Sequence, residues 1–197
     1  MAKRHRGPLS FGLNEVNRQN GVRMMLELPI KATKVGQVPP GNLIRVNESG
    51  KSILGILVTA NASTFLLAFE PSANSPAPNT LVPIDPTESA MDYGSKFRFN
   101  FGFETASISI GGGRFSSFAG TLVLTVGATL MATRYATTGR VAYVEIASGA
   151  IAQKEPLWGS CVLIGGWTLV WWPTLDTDPR EADPWEMVKR KAPVTSQ

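Results

Sequence analysis

The chain has 197 residues, 43% hydrophobic and only 17% charged, which suits one large folded domain and excludes a disordered polyelectrolyte. One cysteine, Cys161, and one histidine, His5, exclude an internal disulfide and an intrachain Cys/His zinc site. The net charge of +4 is divided unevenly: residues 1–51 carry nine Lys/Arg against three Glu, and residues 52–197 carry ten against twelve Asp/Glu.

Residues 1–23 hold few large apolar residues and no sustained period, and they read as a mobile basic arm. Met24–Ile30 alternates weakly, as a first strand or an arm laid along a neighbour, and Pro29 confines it to an edge. Pro39-Pro40-Gly41 is a turn that opens the compact body. Strand-like runs follow at Leu43–Val46, Ser52–Ala60 and Thr64–Phe69, the last two close enough for a hairpin. Four prolines between Pro71 and Pro83 stiffen a long connection. Asp85-Pro86-Thr87-Glu88 has an N-cap, a first-turn proline and an early acid, which predicts a short helix ending at Gly94.

The run Lys96-Phe97-Arg98-Phe99-Asn100-Phe101-Gly102-Phe103 alternates phenylalanine with charged, polar or glycine residues. A period of two places the rings on one face of a strand and turns Arg98 outward, so a second layer must cover the rings. Ala106–Ile110 alternates again and runs into Gly111-Gly112-Gly113, a flexible loop without the helix and lysine of a phosphate loop. Gly120–Tyr135 is rich in Leu, Val and Thr and too long for one average strand, with Gly127-Ala128 marking a bulge or bend within it. Arg140–Ile146 is a further strand, and Ser160–Trp172 is the last, interrupted by Gly165-Gly166. Beyond it, Asp183-Pro184-Trp185-Glu186 repeats the helix-start pattern, with Lys189-Arg190-Lys191 suited to the helix end.

About eight strands predict an all-β, eight-stranded antiparallel sandwich, a single jelly roll, with one or two short helices and a disordered basic N-terminal arm. The expected divisions are an arm over 1–38, a sandwich over 39–172 and an acidic, then basic, tail over 173–197. Neither apolar run, Leu122–Ala132 nor Cys161–Trp172, reaches the roughly 20 residues of a membrane-spanning helix, and no secretory leader is expected.

No nucleophile–base pattern is present outside the arm, so no enzymatic activity is expected. Lys3, Arg4, Arg6, Arg18, Arg23, Lys31 and Lys34 suit phosphate contact through counterion release, without reading sequence. Asp176, Asp178, Glu181 and Asp183 offer oxygen ligands for Ca²⁺, although without EF-hand spacing; a solvated acidic turn is the competing reading, and no other cofactor is implied. Trp171 and Trp172 are adjacent and face opposite sides of a strand, so one belongs to the core while the other, like Trp185, needs cover from the tail or a partner. No cation lies between Lys154 and Arg180, which favours a subunit interface over base stacking at these tryptophans.

A short basic N-terminus (Lys3, Arg4, Arg6), a sandwich-sized β-body, a nearly cysteine-free chain and no catalytic constellation together resemble the coat proteins of small positive-strand RNA viruses, especially those of plants. The resemblance covers the layout of the whole chain and rests on no diagnostic motif. It implies a single jelly roll that self-assembles into an icosahedral or bacilliform shell, packages single-stranded RNA through the arm, and resides in the virion and, during assembly, the host cytoplasm, with no membrane partner. One departure is that only three Lys/Arg fall in the first seventeen residues, so Lys31, Lys34 and Arg114 would share charge neutralisation. Two other readings stand beside it: a non-viral β-sandwich module with a tryptophan platform, and a viral movement protein that binds nucleic acid without closing a shell.

Overall fold

The structure, a computed structural model, describes residues 30–101, 108–110, 119–153, 156, 161–172 and 185–191. Among them lie fifteen strands, one 3-10 turn (Val35–Gln37) and no α-helix. Fourteen of the strands form two series of seven. The first comprises β1 (Lys31–Lys34), β2 (Leu43–Glu48), β3 (Lys51–Ala60), β4 (Ser63–Ala68), β5 (Thr80–Pro83), β6 (Ser89–Gly94) and β7 (Phe97–Asn100). The second comprises β8 (Ile108–Ile110), β9 (Leu122–Thr125), β10 (Ala128–Tyr135), β11 (Val141–Glu145), β12 (Ala150–Ile151), β13 (Val162–Ile164) and β14 (Trp167–Trp171). The last strand, β15 (Trp185–Arg190), stands outside both series.

Each pairing in the first series has its counterpart in the second. β1 pairs β6 as β8 pairs β13, and β2 pairs β6 as β9 pairs β13. The hairpins β2–β3 and β3–β4 correspond to β9–β10 and β10–β11, and β4–β5 corresponds to β11–β12. The two series join by matching parallel contacts, β5 to β10 and β12 to β3. β7 and β14 pair antiparallel with each other in a separate sheet, where β15 adds on the far side of β14. The chain is therefore two copies of one supersecondary unit related by a pseudo-twofold axis.

Local chemistry repeats as well. Gly41-Asn42-Leu43-Ile44 matches Gly120-Thr121-Leu122-Val123 in position, and both glycines hold φ at 86°. The Gly41 amide donates to the Leu57 carbonyl and the Gly120 amide to the Ala132 carbonyl, with return bonds Leu57 to Asn42 and Ala132 to Thr121. Positive φ admits glycine without the Cβ clash other residues suffer.

Strands β3, β4, β5, β10, β11 and β12 close a ring through those two parallel seams. Alternate residues point into it, including Leu54, Ile56, Val58, Leu67, Leu81, Met131 and Val144, and these form the largest core together with Trp167, Leu169 and Trp171 of β14. Each fully buried large side chain contributes about 1.5–3 kcal/mol. Two smaller cores lie on the outer face of the ring, one per unit. Ile44, Leu57 and Leu66 belong to the first; their counterparts Val123, Ala132 and Tyr143 belong to the second.

The expectation of an all-β protein holds. The expected eight antiparallel strands do not match the fifteen described, and the two parallel seams are absent from all-antiparallel jelly-roll wiring. Gly120–Tyr135 is a hairpin rather than one bent strand, because Gly127 at φ 92° reverses the chain between β9 and β10. Ser160–Trp172 is likewise divided at Gly165-Gly166 into β13 and β14, which belong to different sheets. Residues 30–38, expected within the arm, are folded: β1 pairs along its length with β6, and Ile30 packs on the main core.

Neither predicted helix is present among the described residues: residues 85–88 form a turn, and Ser89–Gly94 and Trp185–Arg190 are strands. Asp85 does accept from the Thr87 amide at 2.7 Å and the Thr87 hydroxyl at 2.7 Å, as an N-cap would. The following residues instead pair with β1 on one side and β2 on the other, and Ala90 is buried. Tertiary pairing thus overrides a local helix-start signal. In the tail, β15 takes the place of the predicted helix, with Met187 and Val188 packed on the main core. The phenylalanine run begins as expected, Phe97 and Phe99 lying against the main core and Phe99 edge-on to Trp167 at 4.8 Å. Phe101 is 40% exposed, and Phe103 lies outside the described residues.

Candidate nucleic-acid interface

At the end of the separate sheet nearest β1, a groove of about 480 Å³ opens between β1, β6 and the last residues of β14. Edge strand β1 supplies Lys31 and Thr33, the link from β6 to β7 supplies Ser95 and Lys96, and β14 ends in Trp171, with Trp172 directly after it. Asp92 lies in the same groove, its carboxylate accepting from Asn42 Nδ2 at 3.0 and 3.2 Å and from the Gly94 amide at 2.8 Å.

The two tryptophans divide as period two requires. Trp171 is fully buried; its Nε1 donates to the Tyr93 carbonyl at 2.9 Å, and its ring meets Tyr93 edge-on at 5.3 Å. Its assignment to a subunit interface is therefore corrected, because the chain's own core covers the ring completely. Trp172 faces the other side, half-buried, and the Arg98 guanidinium sits 5.4 Å from its ring centroid. Arg98 lies directly opposite Val170 across the β7–β14 pair, so Trp172, two residues on, is its diagonal neighbour on the same face. A cation at this distance from an indole face contributes about 0.5–1 kcal/mol at an exposed site. Trp185 is 50% exposed and stacks edge-on against Trp171 at 5.6 Å.

The fold thus corrects the separation of cations from tryptophans. No Lys or Arg adjoins Trp171 and Trp172 in sequence, yet antiparallel pairing brings Arg98, and the β6–β7 link brings Lys96, to the same end of the sheet. The signal that could have found Arg98 was the alternation that turned it away from the phenylalanine face. Lys31 joins this groove. Lys34 lies three residues along β1, its Nζ donating to Ser89 Oγ at 3.1 Å. Lys3, Arg4, Arg6, Arg18 and Arg23 lie outside the described residues, as do Arg114, Asp176, Asp178, Glu181 and Asp183. Among the described residues no group of three or more His, Cys, Asp or Glu side chains could hold a metal ion, and no helix is long and apolar enough to cross a membrane.

An ammonium, a guanidinium and a half-covered indole side by side can engage a phosphate backbone and stack on an unpaired base. Asp92 opposes an anion, and its three hydrogen bonds moderate that opposition. Searches of protein-family models, of curated proteins and of solved structures returned no match to the chain.

Proposed function

We propose that the protein is a self-assembling coat protein that packages single-stranded RNA, with Lys31, Lys34 and the basic N-terminal residues Lys3, Arg4, Arg6, Arg18 and Arg23 meeting the phosphates. The observation that carries this reading is the convergence of Lys31 and Lys96 with Trp172, which Arg98 overlies, at one end of the molecule. The arrangement recognises phosphate and base faces without base-edge readout, which is what a packaging protein needs. The unequal division of charge between residues 1–51 and the rest supports it further.

Subunit contacts are supported by the end strands of both sheets: β1 and β8 close the path of the large sheet, and β7 and β15 that of the small one. Strand edges without a partner among the described residues, and exposed Trp185 and Met91, suit burial by neighbouring copies. This assembly reading does not depend on jelly-roll wiring. If the acidic residues Asp176, Asp178, Glu181 and Asp183 bind Ca²⁺, the ion would belong to such contacts.

The test is binding of a fluorescent 20-nucleotide single-stranded RNA over a salt series. Intact protein should lose affinity steeply with salt, and the R98A/W172A double variant should bind weakly at every salt concentration. Binding that ignores both salt and the double substitution would overturn the proposal.

A further inference from the structure

β15 lies along the outer edge of β14, antiparallel, and three features fix it. Met187 and Val188 reach the main core, Trp185 meets Trp171, and Arg190 donates to the carbonyls of Gly120, Ala119 and Gly165. The pseudo-twofold axis passes between Leu169 and Phe99, which face each other across β14 and β7. It maps Trp171 onto Phe101, Thr168 onto Arg98 and Gly120 onto Gly41, so the outer edge of β7 is the counterpart of the edge that β15 covers. Among the described residues no strand pairs there. The side chains record the difference. Trp167, Leu169 and Trp171 are buried, whereas their counterparts Phe97 and Phe99 are only partly buried and Phe101 is 40% exposed. An open groove of about 910 Å³ follows these three rings, with Gly41, Arg98 and Glu145 also lining it.

We propose that this edge docks an extended segment of another protein, antiparallel to β7, with an aromatic residue at its start and an acid followed by Arg at its end. Main-chain hydrogen bonds to a strand edge supply affinity, and the side-chain positions supply specificity. β15 is the template for those positions. An aromatic residue covers Phe101 as Trp185 meets Trp171, and an aliphatic residue stands opposite Phe99 as Val188 does opposite Leu169. The closing Arg takes the place beside Gly41 that Arg190 takes beside Gly120. Glu145, which stands where the first unit has Ala68, adds an anion there: its carboxylate accepts from Ser148 Oγ at 2.6 Å, and Ser148 adjoins Gly41. The residue before the Arg discriminates. Thr168 faces Lys189, but Arg98 stands in the place of Thr168. A lysine opposite Arg98 is repelled and an acid is attracted, so β15 of a second copy carries the wrong charge. A second copy's β7 is unsuited for another reason. Its Phe97 and Phe99 already rest on their own core, which would fill the space that the groove floor occupies. The other end strands are left for contacts between copies.

Two synthetic hexapeptides test this on the full chain: Trp-Glu-Met-Val-Glu-Arg, and the same peptide with Lys in place of the second Glu. Fluorescence anisotropy should show the first bound about two- to fivefold more tightly than the second, and E145Q should weaken both alike. Hydrogen exchange read by mass spectrometry should slow over residues 97–101 by about tenfold or more with saturating peptide and stay unchanged over residues 185–190. Any of five results would overturn the proposal. These are no binding of either peptide, a lysine peptide that binds as tightly as the other, affinity indifferent to E145Q, no added protection at 97–101, or faster exchange at 185–190. The last would mean that the peptide displaces β15 from β14. Loss of peptide binding as the protein is concentrated would overturn it as well, by assigning the edge to a second copy.

Discussion

Gly41 lies where a side chain has no room: a Cβ there would come 2.5 Å from the Ala147 carbonyl oxygen, with φ at 86° adding backbone strain. G41A should therefore destabilise the fold by about 2–3 kcal/mol, lowering Tm by about 4–12 °C for a chain of this size. Thermal unfolding followed by circular dichroism checks this, and a shift under 2 °C would show that the bend relaxes. Asp85 makes a prediction of a different kind. Its carboxyl is held below its ordinary value of 3.8 because the Thr87 amide, then the Thr87 hydroxyl, donate to the ionised form. A depressed folded pKa means the contribution is present above about pH 4 and is lost as pH falls through the folded value. An NMR titration should place Asp85 below a typical aspartate, and D85N should remove this part of the acid sensitivity. At the candidate interface, W172A should weaken RNA binding by about 1–3 kcal/mol at any salt concentration, whereas K31A should flatten the salt slope by about one unit.

At the scale of elements, β15 shows what local reading could and could not reach. Sequence placed a helix over Asp183–Lys191 because a proline and acids precede a basic run, yet Trp185–Arg190 pairs with β14 and Arg190 ends the strand on three carbonyls. Burial lowers the Arg190 pKa from its ordinary value, and a guanidinium remains a cation throughout the useful pH range. R190M keeps much of the stem packing and removes these bonds, so it should cost about 2–3 kcal/mol, read as a shift in the urea midpoint. What sequence did reach was period two: Phe97 and Phe99 inward, Arg98 outward, Trp171 and Trp172 on opposite faces, and the β3–β4 hairpin. What it missed depended on partners distant in sequence. The strand at Ser89–Gly94 exists because β1 and β2 flank it, and Arg98 meets Trp172 because β7 pairs with β14. The duplication left only a faint trace, Gly41-Asn42-Leu43-Ile44 against Gly120-Thr121-Leu122-Val123, because burial constrains the type of side chain and not its identity.

At the scale of the molecule, the two units close one ring, so each stabilises the other through the parallel seams and neither contains a complete barrel. Ile30, the first described residue, packs on the main core, and Lys31 lines the groove where the aromatic and cationic side chains meet. Deletion of residues 1–23 should accordingly weaken RNA binding and reduce its salt dependence while leaving the β-sheet circular dichroism unchanged. The most direct test of the coat-protein reading is size-exclusion chromatography of the expressed protein with light scattering and an A260/A280 reading. The account predicts large, uniform, nucleic-acid-rich particles that fall apart or fail to load when the N-terminal residues are removed. A monomer of 21.2 kDa, free of nucleic acid and unchanged by added RNA, would contradict it.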